Sequence, residues 1–273
     1  MDQRDRIAAM FDQAADSYDQ VGVELFGPIA ARLVRELAPQ PGERAVDLGC
    51  GRGAALLRLG AAVGPTGRTV GLDLAPRMVR AAAEEAARAG LAVDVVVGDA
   101  QRPDLPAGSF DVAASSLVAF FLPDPAAAVG AWAGLLADHG RLGVSTFGPY
   151  SPWWEPVDAV FAPFLPPAMR DARTTGARGP FASDAGVEQL LVDAGLRGVR
   201  TAGELLPVRF DDVAHWHRWT MSTGQRLFWQ MVPDEHRAAV HAAAAAALED
   251  TRRHTADGRI GFDQRVRYTL GHR

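Results

Sequence analysis

The sequence predicts an α/β protein built on a doubly wound, mostly parallel sheet of seven strands. Between residues 44 and 148, short apolar runs alternate with helical stretches at the cadence of right-handed strand–helix–strand crossovers. The first of those runs opens into a glycine-rich turn, and acidic residues close the first three strands, at the sheet edge where such folds bind ligands. Two further extended runs, around Val199–Phe210 and Gly261–Leu270, complete the sheet.

Composition narrows the functional classes. The 273 residues are 48% hydrophobic and 22% charged, which excludes a disordered tail protein. A lone Cys50 rules out a disulfide scaffold and fits a reducing compartment, so the cytoplasm is the expected location. No early basic patch leads into an apolar run, and no stretch approaches membrane-spanning length, so neither secretion nor membrane insertion is expected. All 28 basic residues are arginine, which excludes Schiff-base chemistry and a lysine base. With 33 acidic residues and a formal net charge of -5, nucleic acid is not an expected partner.

Residues 1–40 read as a helical cap. Phe11, Ala14, Ala15 and Tyr18 recur three and four apart, and Ile29, Leu33, Val34 and Leu37 share a face before Pro39 and Pro41 stop the helix. Residues 41–148 form the expected cofactor-binding core. There RAVDLG, TVGLDL, VDVVVGD, FDVAASS and RLGVSTF are the strands; AALLRLGAAV, RMVRAAAEEAARAG and an Ala-rich stretch around Trp132–Leu136 are helices. Residues 149–273 carry five of the six tryptophans and a helix from a Ser183 cap to Ala194, stopped by Gly195. They also carry the last two strands; segments 149–180 and 211–256 are the expected substrate lid.

The string AVDLGCGRGA, residues 45–54, turns a buried strand through Gly49, Gly51 and Gly53 into a helix, where a backbone must bend tightly and lie against a ligand without an intervening Cβ. Gly49, Gly51 and Ala54, with Asp73 further on, also satisfy a dinucleotide fingerprint, so the glycines alone leave an NAD-dependent oxidoreductase open. Asp47, before the first glycine, would oppose a phosphate and favour an ammonium group; a sulfonium amino acid fits better. GLD at 71–73 ends the second strand with a carboxylate able to take both ribose hydroxyls, and GDA at 98–100 ends the third with one able to accept from an adenine amine.

The ordered set DLGCGRG, GLD, GDA, then Leu105, Pro106 and SFDV at 109–112, then RLGVSTF, resembles the class I S-adenosylmethionine-dependent methyltransferases over about residues 40–148. The amino-terminal FDQAADSYDQVG is similar to their small-molecule branch, which includes quinone-biosynthesis and natural-product enzymes. The resemblance implies S-adenosylmethionine as cofactor, with Asp47 and the backbone of Gly49 and Gly51 on its methionine moiety. It further implies Asp73 on the ribose, Met78 against the nucleoside, Asp99 with the backbone of Ala100 on adenine, and Ser115 beside the methionine end. Tyr18, followed by Asp19, would fold over the cofactor. Beyond residue 150 only the general layout is shared, so the acceptor does not carry over.

The remaining polar candidates are few. Cys50 has no neighbouring His or second Cys and reads as a small loop residue. His215 and His217 in HWHRW are two apart and point to different sides of a helix, so a shared metal is not expected. Either, and less so His236, could act as the acid–base group if the acceptor is a phenol or alcohol. Trp153, Trp154, Phe161, Phe164, Trp216, Trp219 and Trp229 read equally as core and as the wall of a pocket for a flat apolar substrate. The expected activity is methyl transfer to a small hydrophobic or aromatic metabolite of secondary metabolism. The alternatives are a cofactor-binding cyclase or isomerase that transfers no methyl, and the oxidoreductase; protein or nucleic-acid methylation is disfavoured. A homodimer is compatible with the sequence.

Overall fold

The computed structural model describes residues 3–166 and 179–273. Seven strands, β1 (Arg44–Leu48), β2 (Arg68–Asp73), β3 (Asp94–Val97), β4 (Phe110–Ser116), β5 (Leu136–Tyr150), β6 (Arg197–Phe210) and β7 (Ile260–His272), form one sheet in the order β3-β2-β1-β4-β5-β7-β6. β1 to β5 pair in parallel, and β7 runs antiparallel to both β5 and β6. The chain winds outward from β1 to β3 and then returns to place β4 on the other side of β1. Between β1 and β4 lies the switch point where open α/β sheets leave a crevice at their carboxyl edge.

Helices cover both faces. Val112 and Ala114 of β4 face one apolar layer and Ala113 the other, as the two-residue period of a strand requires. Helix α1 (Gln3–Ala14) precedes α2 (Phe26–Leu37), which buries Ile29, Leu33, Val34 and Leu37 as their spacing predicts. A Cβ added at Gly143 of β5 would meet Leu37 and Leu33 at 2.9–3.1 Å, so this glycine lets α2 lie close on the sheet. Helices α3 (Leu56–Val63), α4 (Pro76–Arg88) and α5 (Pro125–Leu135) follow β1, β2 and β4. Asp124 caps α5 by accepting from the Ala127 amide at 2.9 Å, with Pro125 at the first helical position, so this helix starts earlier than its Trp132–Leu136 stretch predicts.

The short α6 (Glu155–Ala159) follows β5. Helix α7 (Asp184–Asp193) is capped by Ser183, which accepts from the Gly186 amide at 3.0 Å. Between β6 and β7 the chain forms α8 (Val213–Ser222), α9 (Arg226–Met231) and α10 (Asp234–Thr251). The first segment of the expected lid, 149–180, lies partly outside the described residues, at 167–178. At the amino terminus the helical period overstates the helix. α1 ends at Ala14, and Tyr18 follows on a turn whose amide still donates to Ala14 O at 2.9 Å, with Asp19 at φ 57°. No described helix is long and apolar enough to cross a membrane.

Candidate active site

The glycine loop is built by its neighbours. Gly49 has φ +81°, and a Cβ there would lie 2.5 Å from Val118 Cγ2; Gly51 has φ +51°, and nothing stands within 4 Å of an added Cβ. The first glycine makes room for protein, and the second leaves room in front of the loop. The amides of Gly49 and Cys50 both donate to Leu72 O at 2.9 Å, which pins the loop to the end of β2. Asp73, the last residue of β2, accepts from the Gly51 amide at 2.8 Å and from the Ala75 amide at 2.9 Å. Burial raises its pKa, while the amides of Ala75, Gly51 and Leu74 pull it back toward the charged form.

Tyr18, Gly49, Gly51, Asp73, Met78, Asp99 and Ala100 all line one cleft of about 900 Å³, mouth included, at the switch point. Asp99 holds the Gln101 amide at 2.9 Å and faces Arg4 Nε at 3.3 Å, so α1 reaches across to the third strand end. Ile7, Ala8 and Phe11 of α1 line the cleft too. The apolar register of α1, which includes these three residues, marks a packed helix but carries no sign that its face borders the cleft. Ala100 receives the Trp132 indole N–H on its carbonyl at 2.6 Å, which fixes the cleft floor from behind.

Two expected residues do not reach the cleft. Ser115 is buried and its hydroxyl donates to Leu48 O at 3.0 Å; the next residue, Ser116, lines the cleft instead, because successive strand residues face opposite ways. Asp47 is also fully buried and off the cleft wall. Neither of its oxygens has a hydrogen-bond partner of normal geometry among the described residues. Burial lifts its pKa to about 7, the charge of Asp73 adds to the rise and the Leu56 amide opposes it. Cys50 is buried, and burial with the two nearby carboxylates pushes its thiol well above the usual range, as suits a small filler.

A second pocket, of about 680 Å³, adjoins the first; Phe11, Tyr18, Leu117 and Phe121 line both. Leu117 has φ 60°, a left-handed conformation that is uncommon for leucine, just past the end of β4. Tyr18 stacks on Phe26 with ring centroids 4.7 Å apart, and burial with Asp19 and Asp73 raises its phenol pKa, so it stays neutral. Phe147, Trp154, Trp219 and Phe262 wall the pocket. The aromatic residues of the second half therefore divide: Trp154 and Trp219 face the pocket, Phe161, Trp216 and Trp229 are buried in the core, Trp153 stacks on His254 and Phe164 lies against His236.

One pocket residue escaped the sequence reading. Asp158 of α6 lines the second pocket and is 8% exposed. Burial carries its carboxyl up to about 8, against a hydrogen bond from Trp154. Its only sequence signal is an acid, three residues after Glu155, within the aromatic run WWEPVDAVF.

The histidines expected as acid–base groups are placed elsewhere. His215 is buried; its Nε2 lies 2.8 Å from Val21 O, and its Nδ1 accepts from the Asp211 amide at 3.2 Å. Both ring nitrogens are thus committed to holding α8 against the chain before α2. His217 packs edge-on against Trp229 and beside His241, and burial followed by the His241 charge lowers its pKa. Neither histidine lines the cleft or the second pocket.

A parallel sheet with this strand order, an antiparallel β7, a glycine-loop cleft at the switch point and acids at the ends of β2 and β3 defines the Rossmann-like methyltransferase class. A family model described as "Methyltransferase domain" matches residues 46–144. Nocamycin O-methyltransferase of Saccharothrix syringae is 40% identical over 276 aligned residues, covering 96% of each chain. Aklanonic acid methyltransferase DauC of Streptomyces sp. (strain C5) is 40% identical over 163 residues, 59% of this chain and 70% of that one. Among solved structures, YcgJ of Bacillus subtilis superposes with TM-score 0.60 at 17% identity over 90% of this chain and 98% of that one. The [4+2]-cyclase SpnF gives TM-score 0.52 at 18% identity over 90% and 80%; both structures share the fold.

The chain belongs to the S-adenosylmethionine-dependent methyltransferase family: it is an enzyme that takes its methyl group from S-adenosylmethionine and acts on a small molecule. The dinucleotide reading of Gly49, Gly51 and Ala54 is thereby set aside.

Proposed function

We propose that the cleft holds S-adenosylmethionine and that the second pocket receives a flat, largely apolar acceptor whose nucleophile is an oxygen. The observation that carries this reading is the adjacency of the two spaces, which share Phe11, Tyr18, Leu117 and Phe121 as a common wall, with further aromatic residues beyond. The relatives named as methyltransferases of nocamycin and aklanonic acid support such an acceptor. The acidic balance of the chain supports a small-molecule rather than a nucleic-acid substrate.

The cleft suits the cofactor in shape and charge. The open space before Gly51 admits a group against bare backbone, and Asp73 keeps acceptor capacity beyond the hydrogen bonds from its backbone amides, enough for ribose hydroxyls. Asp99 supplies an acceptor for the adenine amine. Met78 and Tyr18 give apolar and aromatic surface to the cleft wall. Bound there, S-adenosylmethionine supplies an electrophilic methyl: an acceptor lone pair bonds to its carbon as the carbon–sulfur bond breaks and that pair stays on sulfur.

The protein's part is orientation and exclusion of water. Holding two reactants in line is worth on the order of 7–11 kcal/mol of barrier. Here the residues that separate and align them are Tyr18, held on Phe26, and Leu117, fixed by its amide bond to Ser145 O at 3.1 Å. The test is to incubate the enzyme with methyl-labelled S-adenosylmethionine and a panel of aromatic polyketides, simple phenols, amino acids and polyamines. Label should pass to the oxygen of the aromatic compounds; transfer confined to amines or amino acids would overturn the reading.

A further inference from the structure

We infer that Asp158 is the acid–base group of the acceptor pocket, its carboxylate taking the proton of the acceptor hydroxyl as the oxygen turns nucleophile. The inference rests on the reading of the second pocket as the acceptor site. In that step the O–H bond breaks, its electron pair stays on the acceptor oxygen, the proton passes to an Asp158 carboxylate oxygen, and it leaves to water when the product departs.

Three observations support the assignment. Asp158 lines the pocket although it is 8% exposed, so the pocket is its outlet. A carboxylate in an aromatic wall is costly to bury, and structural packing alone would be served better by an apolar residue. Of the other polar groups on the wall, the Gln225 amide is too weak a base to take a proton, and Gln264 and Thr223 are committed. Gln264 Nε2 donates to Gly148 O at 3.0 Å and to Arg265 O at 2.7 Å, and Thr223 Oγ1 donates to Thr220 O at 3.4 Å.

Tyr18, the other titratable side chain lining this pocket among the described residues, is held neutral and can donate a proton but not take one. The elements around Asp158 add no described charge to the pocket. Glu155 of its own helix is exposed, α10 buries Val240, Ala244 and Leu248 on its packed side, and β7 presents Phe262 and Gln264. With burial holding its carboxyl near 8, Asp158 exchanges its proton close to neutral pH, where a general base is most effective.

The test uses the full chain saturated with S-adenosylhomocysteine and labelled with 13C at aspartate carboxyls; the resonance lost in Asp158→Asn identifies the group. Asn keeps a carbonyl oxygen for the Trp154 indole, and an unchanged spectrum elsewhere establishes that the variant is folded. The probes are 2-naphthol and 2-methoxynaphthalene, alike in shape but differing in the hydroxyl. The expected result is that 2-naphthol moves the Asp158 resonance, 2-methoxynaphthalene leaves it in place, and Asp158→Asn weakens 2-naphthol alone by about 10- to 100-fold.

Equal behaviour of the two probes overturns the assignment while leaving the pocket as acceptor site. Failure of both to bind the native enzyme overturns the acceptor-site reading and this inference with it. With an acceptor from the panel in hand, Asp158→Asn should lose about 100- to 10,000-fold in kcat/KM together with the acid limb of its pH profile, at unchanged S-adenosylhomocysteine affinity. Retention of that limb would overturn the assignment.

Discussion

Replacing Asp73 by alanine separates cofactor binding from fold stability. In the proposed complex the carboxylate accepts from two ribose hydroxyls; at about 1.5–3 kcal/mol for each charge-assisted bond, their loss weakens S-adenosylhomocysteine by about 100- to 10,000-fold. The structure adds a stability cost, because the Gly51 and Ala75 amides lose their partner, at about 1–3 kcal/mol each. Part of that cost is offset, since burial already disfavours the charged carboxylate at this position. Asp73→Ala should therefore fold with Tm lowered by several degrees, each kcal/mol being worth about 2–4 °C in a chain of this size. Calorimetric titration reads the affinity directly. In thermal scans, S-adenosylhomocysteine at 100 times its native Kd stabilises the native enzyme by about 2.7 kcal/mol and should leave the variant almost unmoved. A folded Asp73→Ala protein that binds within about threefold of the native enzyme would refute the reasoning.

Other substitutions test the remaining assignments. His215→Ala should lower stability by about 1–3 kcal/mol, because Val21 O and the Asp211 amide lose their partner, and should leave S-adenosylhomocysteine affinity unchanged; a selective loss of affinity would contradict its structural placement. Gly51→Val should fold, since an added Cβ meets nothing, at about 1–2 kcal/mol of left-handed backbone strain, and should cut cofactor affinity more than tenfold by filling the cleft; unchanged binding in an isothermal titration would contradict it. Asp158 gives a pH signature. Its folded pKa of about 8 lies above the ordinary value near 4, so the native state holds a proton that the unfolded chain has lost, and its stabilising contribution, full below pH 4, is lost as pH rises through 8. Asp158→Asn should gain on the native enzyme by about 1 kcal/mol per pH unit between pH 5 and 8. Parallel denaturation midpoints across that range would contradict the burial argument.

The sheet was legible in the sequence because its signal is local. Short apolar runs and helical stretches alternate at crossover spacing, and a strand end followed by glycines leaves little choice of conformation. Asp73 and Asp99 were found for the same reason, since the end of a parallel strand is by topology the edge of the cleft. What failed depended on orientation or distant packing. Ser115 and Ser116 differ by one residue, and only the pairing of β4 with its neighbours decides which faces the cleft. His215 carried a readable cue: Asp212 accepts from its amide at 2.6 Å, so DDVAH is a helix start that draws the histidine inward. Asp158 had no comparable cue, because its importance arises where α6, α8 and β7, far apart along the chain, line one pocket. Asp47 shows the same limit in reverse, its acid-before-glycine pattern placing it beside the loop without revealing that its carboxylate faces inward.

A crystal structure of the enzyme with S-adenosylhomocysteine bears most directly on how the two spaces work together. The ribose is predicted on Asp73, the adenine beside Asp99, and the thioether sulfur facing Leu117 and the pocket walled by Trp154 and Trp219. A nucleoside seated outside this cleft, or a sulfur turned away from the aromatic wall, would contradict the account.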